Sequence, residues 1–418
     1  SGLLDELVDA GLLVRHEDAD PSLAAAPGTH AVLRPERIPF VSYPYEWCFG
    51  QLRDAALTTL AAQRVAMDRG FTLRDASAYN VQFLRGRPVL IDVLSFEPIR
   101  PGEPWAAYGQ FCRHFLAPLA LMAGRDVRLG SLLAVHLDGI PLDLAAALLP
   151  RRARLRPGLM LHLVAHARSD RRRAGSGAPA DARGFSERAF RGLIESLGSA
   201  VRGLHWDPPE TAWSDYYGAG HPYPDRALRR KEELVRKLLE EASPTVVWDL
   251  GANTGRFSRI AAEGGAFTVA FDSDPAVVEA AYREVAPEPG PGILPLVLDL
   301  TDPSPRRGWA HRERLSLADR GPADAVMALA LVHHLAIGNN VPLPALAGWL
   351  AELGRWAVVE FVPKEDPQVR EMLALRDDVF PGYTEESFVA ALGARFEILR
   401  REPIEDSGRT LYLLRGRR

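Results

Sequence analysis

The sequence predicts an α/β chain in two parts. A carboxyl-terminal half is built on a parallel sheet that ends in an antiparallel hairpin, and a mainly helical domain precedes it. Three observations predict this. From position 226 onward, β-prone apolar runs over 245–249, 268–272, 293–298, 324–329 and 356–361 alternate with helical stretches, the pattern of a parallel sheet covered on both faces. The last two runs, 396–404 and 410–415, are joined by Glu-Asp-Ser-Gly-Arg, a turn signal, and so form a hairpin. Upstream, the long periodic segments are helical, over 46–69, 105–123 and 186–204.

A length of 418 residues makes two domains the natural division. We place them at 1–225 and 226–418. Residues 169–184 are polar, rich in Gly, Ala and Pro, and lack periodicity, which predicts a flexible linker within or at the end of the first domain. An aromatic, proline-rich connector covers 206–223, and a charged amphipathic helix over 226–241 leads into the first strand of the second domain.

Composition excludes several classes. A formal charge of −4 gives no global basic field, so nucleic acid is not the expected partner. Two cysteines cannot build a disulfide framework, and no Cys/His cluster has metal-ligand spacing. We therefore expect no metal and a reducing, cytoplasmic setting. The longest apolar run, 115–123, contains Pro118 and is too short to span a bilayer, and no secretory leader is expected. Only three of the fifty basic residues are lysine, at 231, 237 and 364, so individual arginines carry reduced weight.

The most informative segment is Thr245-Val-Val-Trp-Asp-Leu-Gly-Ala-Asn-Thr-Gly255. A strand ends near Asp249, a tight turn carries Gly251, Asn253 and Gly255, and a helix follows over 256–263. Such a turn brings backbone N–H groups close to a nucleotide-like ligand. The spacing Asp-x-Gly-x-Asn-x-Gly differs from the Gly-x-Gly-x-x-Gly of a dinucleotide site. It resembles the first motif of class I S-adenosylmethionine-dependent methyltransferases, whose Rossmann-like sheet also ends in an antiparallel hairpin.

That resemblance implies S-adenosylmethionine as cofactor. The turn of Gly251, Asn253 and Gly255 would lie against the methionine moiety, and Asp249 would orient the turn or the amino group. Asp272, ending the second strand, would accept the ribose hydroxyls through charge-assisted hydrogen bonds. Asp274, its neighbour before Pro275, reads instead as a helix cap. Asp299 and the N–H of Leu300, at the third strand's end, would bind the adenine edge. These positions lie at the carboxyl ends of consecutive strands, where open α/β sheets bind ligands.

After the fourth strand the chain reads Ala328-Leu-Ala-Leu-Val-His-His-Leu-Ala-Ile-Gly-Asn-Asn340. Methyl transfer from a sulfonium asks the protein mainly to align the nucleophile and manage its proton. A histidine suits that task, and His333 and His334 are the candidates. Adjacent side chains point in different directions, so one at most faces the methyl group, and His334 is preferred. Asn339 and Asn340 either contact a polar substrate or make a turn. Glu360 is either a substrate carboxylate or a partner for Arg355 or Lys364. Trp309 packs over the adenine side or into the core.

In the first half, Arg74-Asp-Ala-Ser-Ala-Tyr-Asn80, followed by Val89-Leu-Ile-Asp92, resembles the catalytic and metal-binding loops of the protein-kinase and aminoglycoside-phosphotransferase fold. Asp75 would match the base, and Asn80 and Asp92 the magnesium ligands. No lysine precedes position 231 and no glycine-rich phosphate loop is present. The expectation is a kinase-like helical lobe without phosphotransfer, shaping the substrate pocket or serving as scaffold. The chain as a whole resembles bacterial two-domain methyltransferases related to a nodulation protein, on Ser42-Tyr-Pro-Tyr-Glu-Trp47, the Asp75 loop, His114-Phe-Leu-Ala-Pro-Leu119, the paired histidines and Glu360-Phe-Val-Pro-Lys364.

The expected function is methyl transfer to oxygen, nitrogen or carbon of a small-molecule acceptor in specialised metabolism. Two alternatives stand beside it. One is an RNA or protein methyltransferase docking through the eight arginines of 151–173. The other is a regulator that binds the cofactor without transfer.

Overall fold

A computed structural model describes all residues except 1, 25, 27, 170–184, 212–224, 287–291, 375–377 and 418. Most of the linker expected at 169–184 and of the connector expected at 206–223 therefore lies outside the described residues. The chain divides into two compact units, Ser1–Asp207 and Pro208–Arg418. The sequence places this division near 225. Within the second unit the Thr211 hydroxyl donates to Asp274 at 2.6 Å.

The first unit is helical at its core, with three small two-stranded sheets around it. Helix Phe49–Asp68 buries one side and packs against helix Glu187–Arg202, whose first turn is capped by the Ser186 side chain. The helix expected over 105–123 runs from Tyr108 to Gly124 and widens into a π turn at Cys112–Leu116, just before Pro118. Proline lacks an N–H and crowds the carbonyl four residues back, and a wider turn is one way a helix accommodates it.

A second π turn, Met160–Ala165, carries His162. This imidazole is fully buried, with Nδ1 2.9 Å from the Tyr108 hydroxyl and Nε2 2.9 Å from the Ser196 hydroxyl. Burial, and secondarily the nearby His166, push its pKa down to about 4. An unfolded histidine takes up a proton near 6.5, so between about pH 6.5 and 4 the unfolded chain binds the extra proton and the folded chain does not. The stability of the first unit is thus expected to fall as pH drops through that window. Hydrogen exchange in helix Glu187–Arg202 should show this loss, and His162→Gln should flatten it.

In the second unit, β1 (Val246–Leu250), β2 (Phe267–Asp272), β3 (Ile293–Val297), β4 (Ala323–Ala328), β5 (Gly354–Phe361), β6 (Phe396–Pro403) and β7 (Thr410–Gly416) form one sheet of order β3-β2-β1-β4-β5-β7-β6. Strands β1 to β5 are parallel, and β7 enters antiparallel between β5 and β6. This is the sheet that the resemblance to class I methyltransferases implies, closing hairpin included. The central strands are mostly apolar because both faces are covered. Trp248 on β1, for example, is buried edge-on against Phe271 of β2 at 5.8 Å.

Helices α1 (Asp225–Ala242), α2 (Arg256–Glu263), α3 (Pro275–Val285) and α4 (Leu343–Leu353) flank the strands. In α1 the stripe of Ala227, Leu228, Lys231, Leu234, Val235, Leu238 and Leu239 is buried, and Lys231 is its one charged member. Asp274 caps α3 by accepting from the Ala276 N–H at 2.8 Å, with Pro275 in the first helical turn. That is the role the sequence assigns it. Strand order reverses between β1 and β4, so a crevice opens at their carboxyl ends. Trp309 lies on a short turn after β3 and is 83% exposed, so it does not pack in the core. No helix among the described residues is long and apolar enough to cross a membrane.

Candidate active site

The crevice holds a cavity of about 260 Å³ within the second unit. One side is the glycine turn. Gly251 (φ 75°) and Gly255 (φ 81°) occupy the left-handed region, as does Asn253 (φ 52°), a residue type that tolerates it. The N–H groups of Gly251 and Ala252 both donate to the Phe271 carbonyl, fastening the turn to β2. A Cβ on Gly251 would stand 3.2 Å from Leu331 Cδ1, so the turn and the segment after β4 interlock there.

Asp272 is the hinge of this arrangement. Its carboxylate accepts the Asn253 N–H at 2.8 Å and the Asp274 N–H at 3.0 Å, and it lines the cavity. Burial raises its pKa, and the backbone N–H groups oppose that rise. Asp249 is buried beneath the turn and does not line the cavity; its carboxylate accepts the Ser258 hydroxyl at 2.6 Å. Burial pushes its carboxyl up to about 7, against the Ser258 hydrogen bond and the charge of Lys231. Asp249 is therefore tied to helix α2 behind the turn and does not meet the cavity directly. Asp299 and Leu300 line the cavity beside Thr301, and Asp299 accepts both the N–H and the hydroxyl of Thr301.

The opposite wall comes from the segment after β4: Leu329, Ala330, Leu331, His334, Leu335, Gly338 and Asn339. His334 opens a π turn, a helical irregularity that recurs at functional sites. Its imidazole lines the cavity, and burial, followed by the charge of Arg409, pushes its pKa down to about 4. At neutral pH it is an uncharged ring able to accept a proton or a hydrogen bond. Asn339 also lines the cavity, and its amide donates to the His334 carbonyl at 3.0 Å.

Besides Asp249 and Gly255, three of the sequence-derived candidates do not line this cavity. His333 is fully buried behind His334, their rings 4.1 Å apart, and neither of its ring nitrogens has a hydrogen-bond partner. Burial and neighbouring positive groups hold its pKa well below the ordinary value. Asn340 is exposed in a left-handed turn (φ 57°). Glu360 is fully buried and pairs with neither Arg355 nor Lys364. It meets Lys231 at 2.7 Å and Arg409 at 3.7 Å, while Lys364 pairs with Asp378. The end of β5 is covered by α1 side chains and by the turn before β7, which keeps this carboxylate from the cavity.

Lys231, Arg409 and Asp366 form, with Glu360, a buried polar network that the sequence pattern does not announce as a whole. One signal for it was available. In a chain that uses arginine almost throughout, a lysine sits at an apolar-stripe position of a charged helix.

In the first unit, Asp75 accepts the Ser77 N–H at 2.8 Å. Asp92 accepts the Leu94 N–H at 2.9 Å and the Ser95 hydroxyl at 2.5 Å. Both carboxylates are thus engaged in local turns. The Asn80 side-chain nitrogen is buried without a hydrogen-bond partner. Among the described residues, no group of three or more His, Cys, Asp or Glu is arranged to hold a metal ion.

Over 417 residues the chain is 39% identical to nodulation protein NoeA of Rhizobium meliloti (strain 1021), covering 98% of this chain and 87% of that protein. The chain belongs to the NoeA family. No protein-family model matches it. Solved structures similar to it cover about half of it. Magnesium protoporphyrin IX methyltransferase (ChlM) from Synechocystis PCC 6803, with bound SAH, matches at 20% identity over 49% of this chain and 93% of its own, with a TM-score of 0.35. The N-methyltransferase NodS from Bradyrhizobium japonicum WM9 matches at 11% identity over 46% of this chain and 98% of its own, with a TM-score of 0.33.

Proposed function

We propose that this NoeA-family chain is an S-adenosylmethionine-dependent methyltransferase acting on oxygen, nitrogen or carbon of a small molecule in specialised metabolism. The observation that carries the reading is one cavity lined by Gly251, Asn253, Asp272, Asp299 and Leu300 on one side and by His334 on the other. These residues fit the cofactor. The left-handed glycine turn leaves room where a side chain would intrude, and acids stand at the tips of β2 and β3. Asp272 would hold the ribose hydroxyls, Asp299 and the Leu300 N–H the adenine edge, and the turn the methionine moiety.

When bound, the cofactor supplies an electrophilic methyl group on a sulfonium. The chain's own work is to orient and to move one proton. His334, uncharged above about pH 4, would accept the proton that the acceptor's hydroxyl or amine gives up on methylation, the thioether being the leaving group. The apolar wall of Leu329, Leu331 and Leu335 excludes water from that transfer.

Calorimetric titration with S-adenosylhomocysteine tests the reading. Wild type is expected to bind, and Asp272→Ala to bind about tenfold more weakly or worse, since each charge-assisted hydrogen bond contributes roughly 1.5–3 kcal/mol. Equal affinity in the two proteins would remove Asp272 from the cofactor site.

A further inference from the structure

Ala330 lies where β4 hands over to the cavity wall, and its φ of 51° is in the left-handed region that alanine rarely adopts. Something must hold it there. Its N–H donates to Glu360 Oε2 at 2.7 Å. The same oxygen receives Lys231 Nζ at 2.7 Å, and Oε1 faces Arg409 Nη1 at 3.7 Å. Arg409 is braced in turn by Asp366 at 2.7 Å and Gln368 at 3.1 Å. Lys231, Glu360 and Arg409 are each at most 1% exposed, so this is an internal brace reaching the back of the wall.

What the brace holds is the ligand side of the segment. The His334 and Leu335 N–H groups both turn back onto the Leu331 carbonyl, and Leu331 presses on Gly251. A change at Ala330 therefore moves Leu331 and His334 together. We propose that Glu360 is a positioning residue: held from behind by Lys231 and Arg409, it fixes the left-handed turn at Ala330 and so sets the wall that Leu331 and His334 present to the cofactor. The role in binding rests on the cofactor reading above; the role in holding the segment does not.

The test compares Glu360→Gln with Glu360→Leu. Both remove the charge, and because Oε2 also receives Lys231 the pair is compared in a Lys231→Met background as well as in the wild-type background. Only glutamine keeps an oxygen where Oε2 stands. Two readouts are taken: hydrogen exchange of the His334 and Leu335 amides, and the affinity for S-adenosylhomocysteine. Leucine is expected to speed exchange about tenfold and weaken binding about fivefold relative to glutamine, as loss of one buried hydrogen bond implies. Should Glu360→Leu fail to fold in the wild-type background, the Lys231→Met background, where the buried charge pair is removed together, decides. Glutamine and leucine variants that agree in both readouts overturn the proposal. Wild type that fails to bind S-adenosylhomocysteine defeats the cofactor reading instead, and exchange still decides the role of Glu360.

Discussion

Lys231→Ala lowers the melting temperature of the second unit by about 10 °C. The ammonium is fully buried on the apolar stripe of α1, 2.7 Å from Glu360 and 4.6 Å above the Phe257 ring. Burial lowers its pKa, and the Glu360 carboxylate pulls the other way. A buried pair adds little net stability over a well-packed apolar pair, yet breaking it from one side leaves the partner stranded at a cost of about 3–5 kcal/mol. Alanine also opens a void along the lost methylenes. For a unit of this size each kcal/mol shifts the midpoint by roughly 2–4 °C, which gives the expected drop. Scanning calorimetry at neutral pH measures it. A fall below about 2 °C would mean that Lys231 and Glu360 are not a buried pair in solution.

His334→Ala lowers turnover about 100-fold while the affinity for S-adenosylhomocysteine stays within about threefold, because general base catalysis contributes roughly 10²–10⁴ and the proposed cofactor contacts lie mainly on the other wall. The pH dependence follows from the lowered pKa. A histidine that stays uncharged down to about pH 4 keeps its acceptor role from pH 8 to 5, and loses it as pH approaches 4 and the ring protonates. Transfer of a labelled methyl group to the first acceptor that turns over gives the measurement. Undiminished turnover in the variant would remove His334 from the mechanism.

The second unit was legible in the sequence to within a few residues per strand, because its signals are local. Apolar runs such as Val246–Leu250 are long enough to be strands, and Gly251 and Gly255 mark a turn that needs left-handed backbone. The closing hairpin carried its own turn signal. The positions of Asp272, Asp299 and Leu300 on the cavity were legible for the same reason, since they follow from where strands end.

The brace was not legible. Lys231, Glu360 and Arg409 come from a helix, a strand end and a turn far apart in the chain, and only the folded sheet brings their side chains within reach. Glu360 read as a substrate carboxylate or a partner for Arg355 or Lys364 because it lies near the end of a strand; its burial is a tertiary property.

The bareness of Trp309 has an optical consequence. Trp47, Trp105 and Trp248 are buried, whereas this indole stands in water on the loop that follows β3, the strand whose tip carries Asp299 and Leu300. Its fluorescence is open to collisional quenchers such as iodide while that of the buried three is shielded. The chain thus carries a native indole whose emission a quencher can separate from that of the buried three.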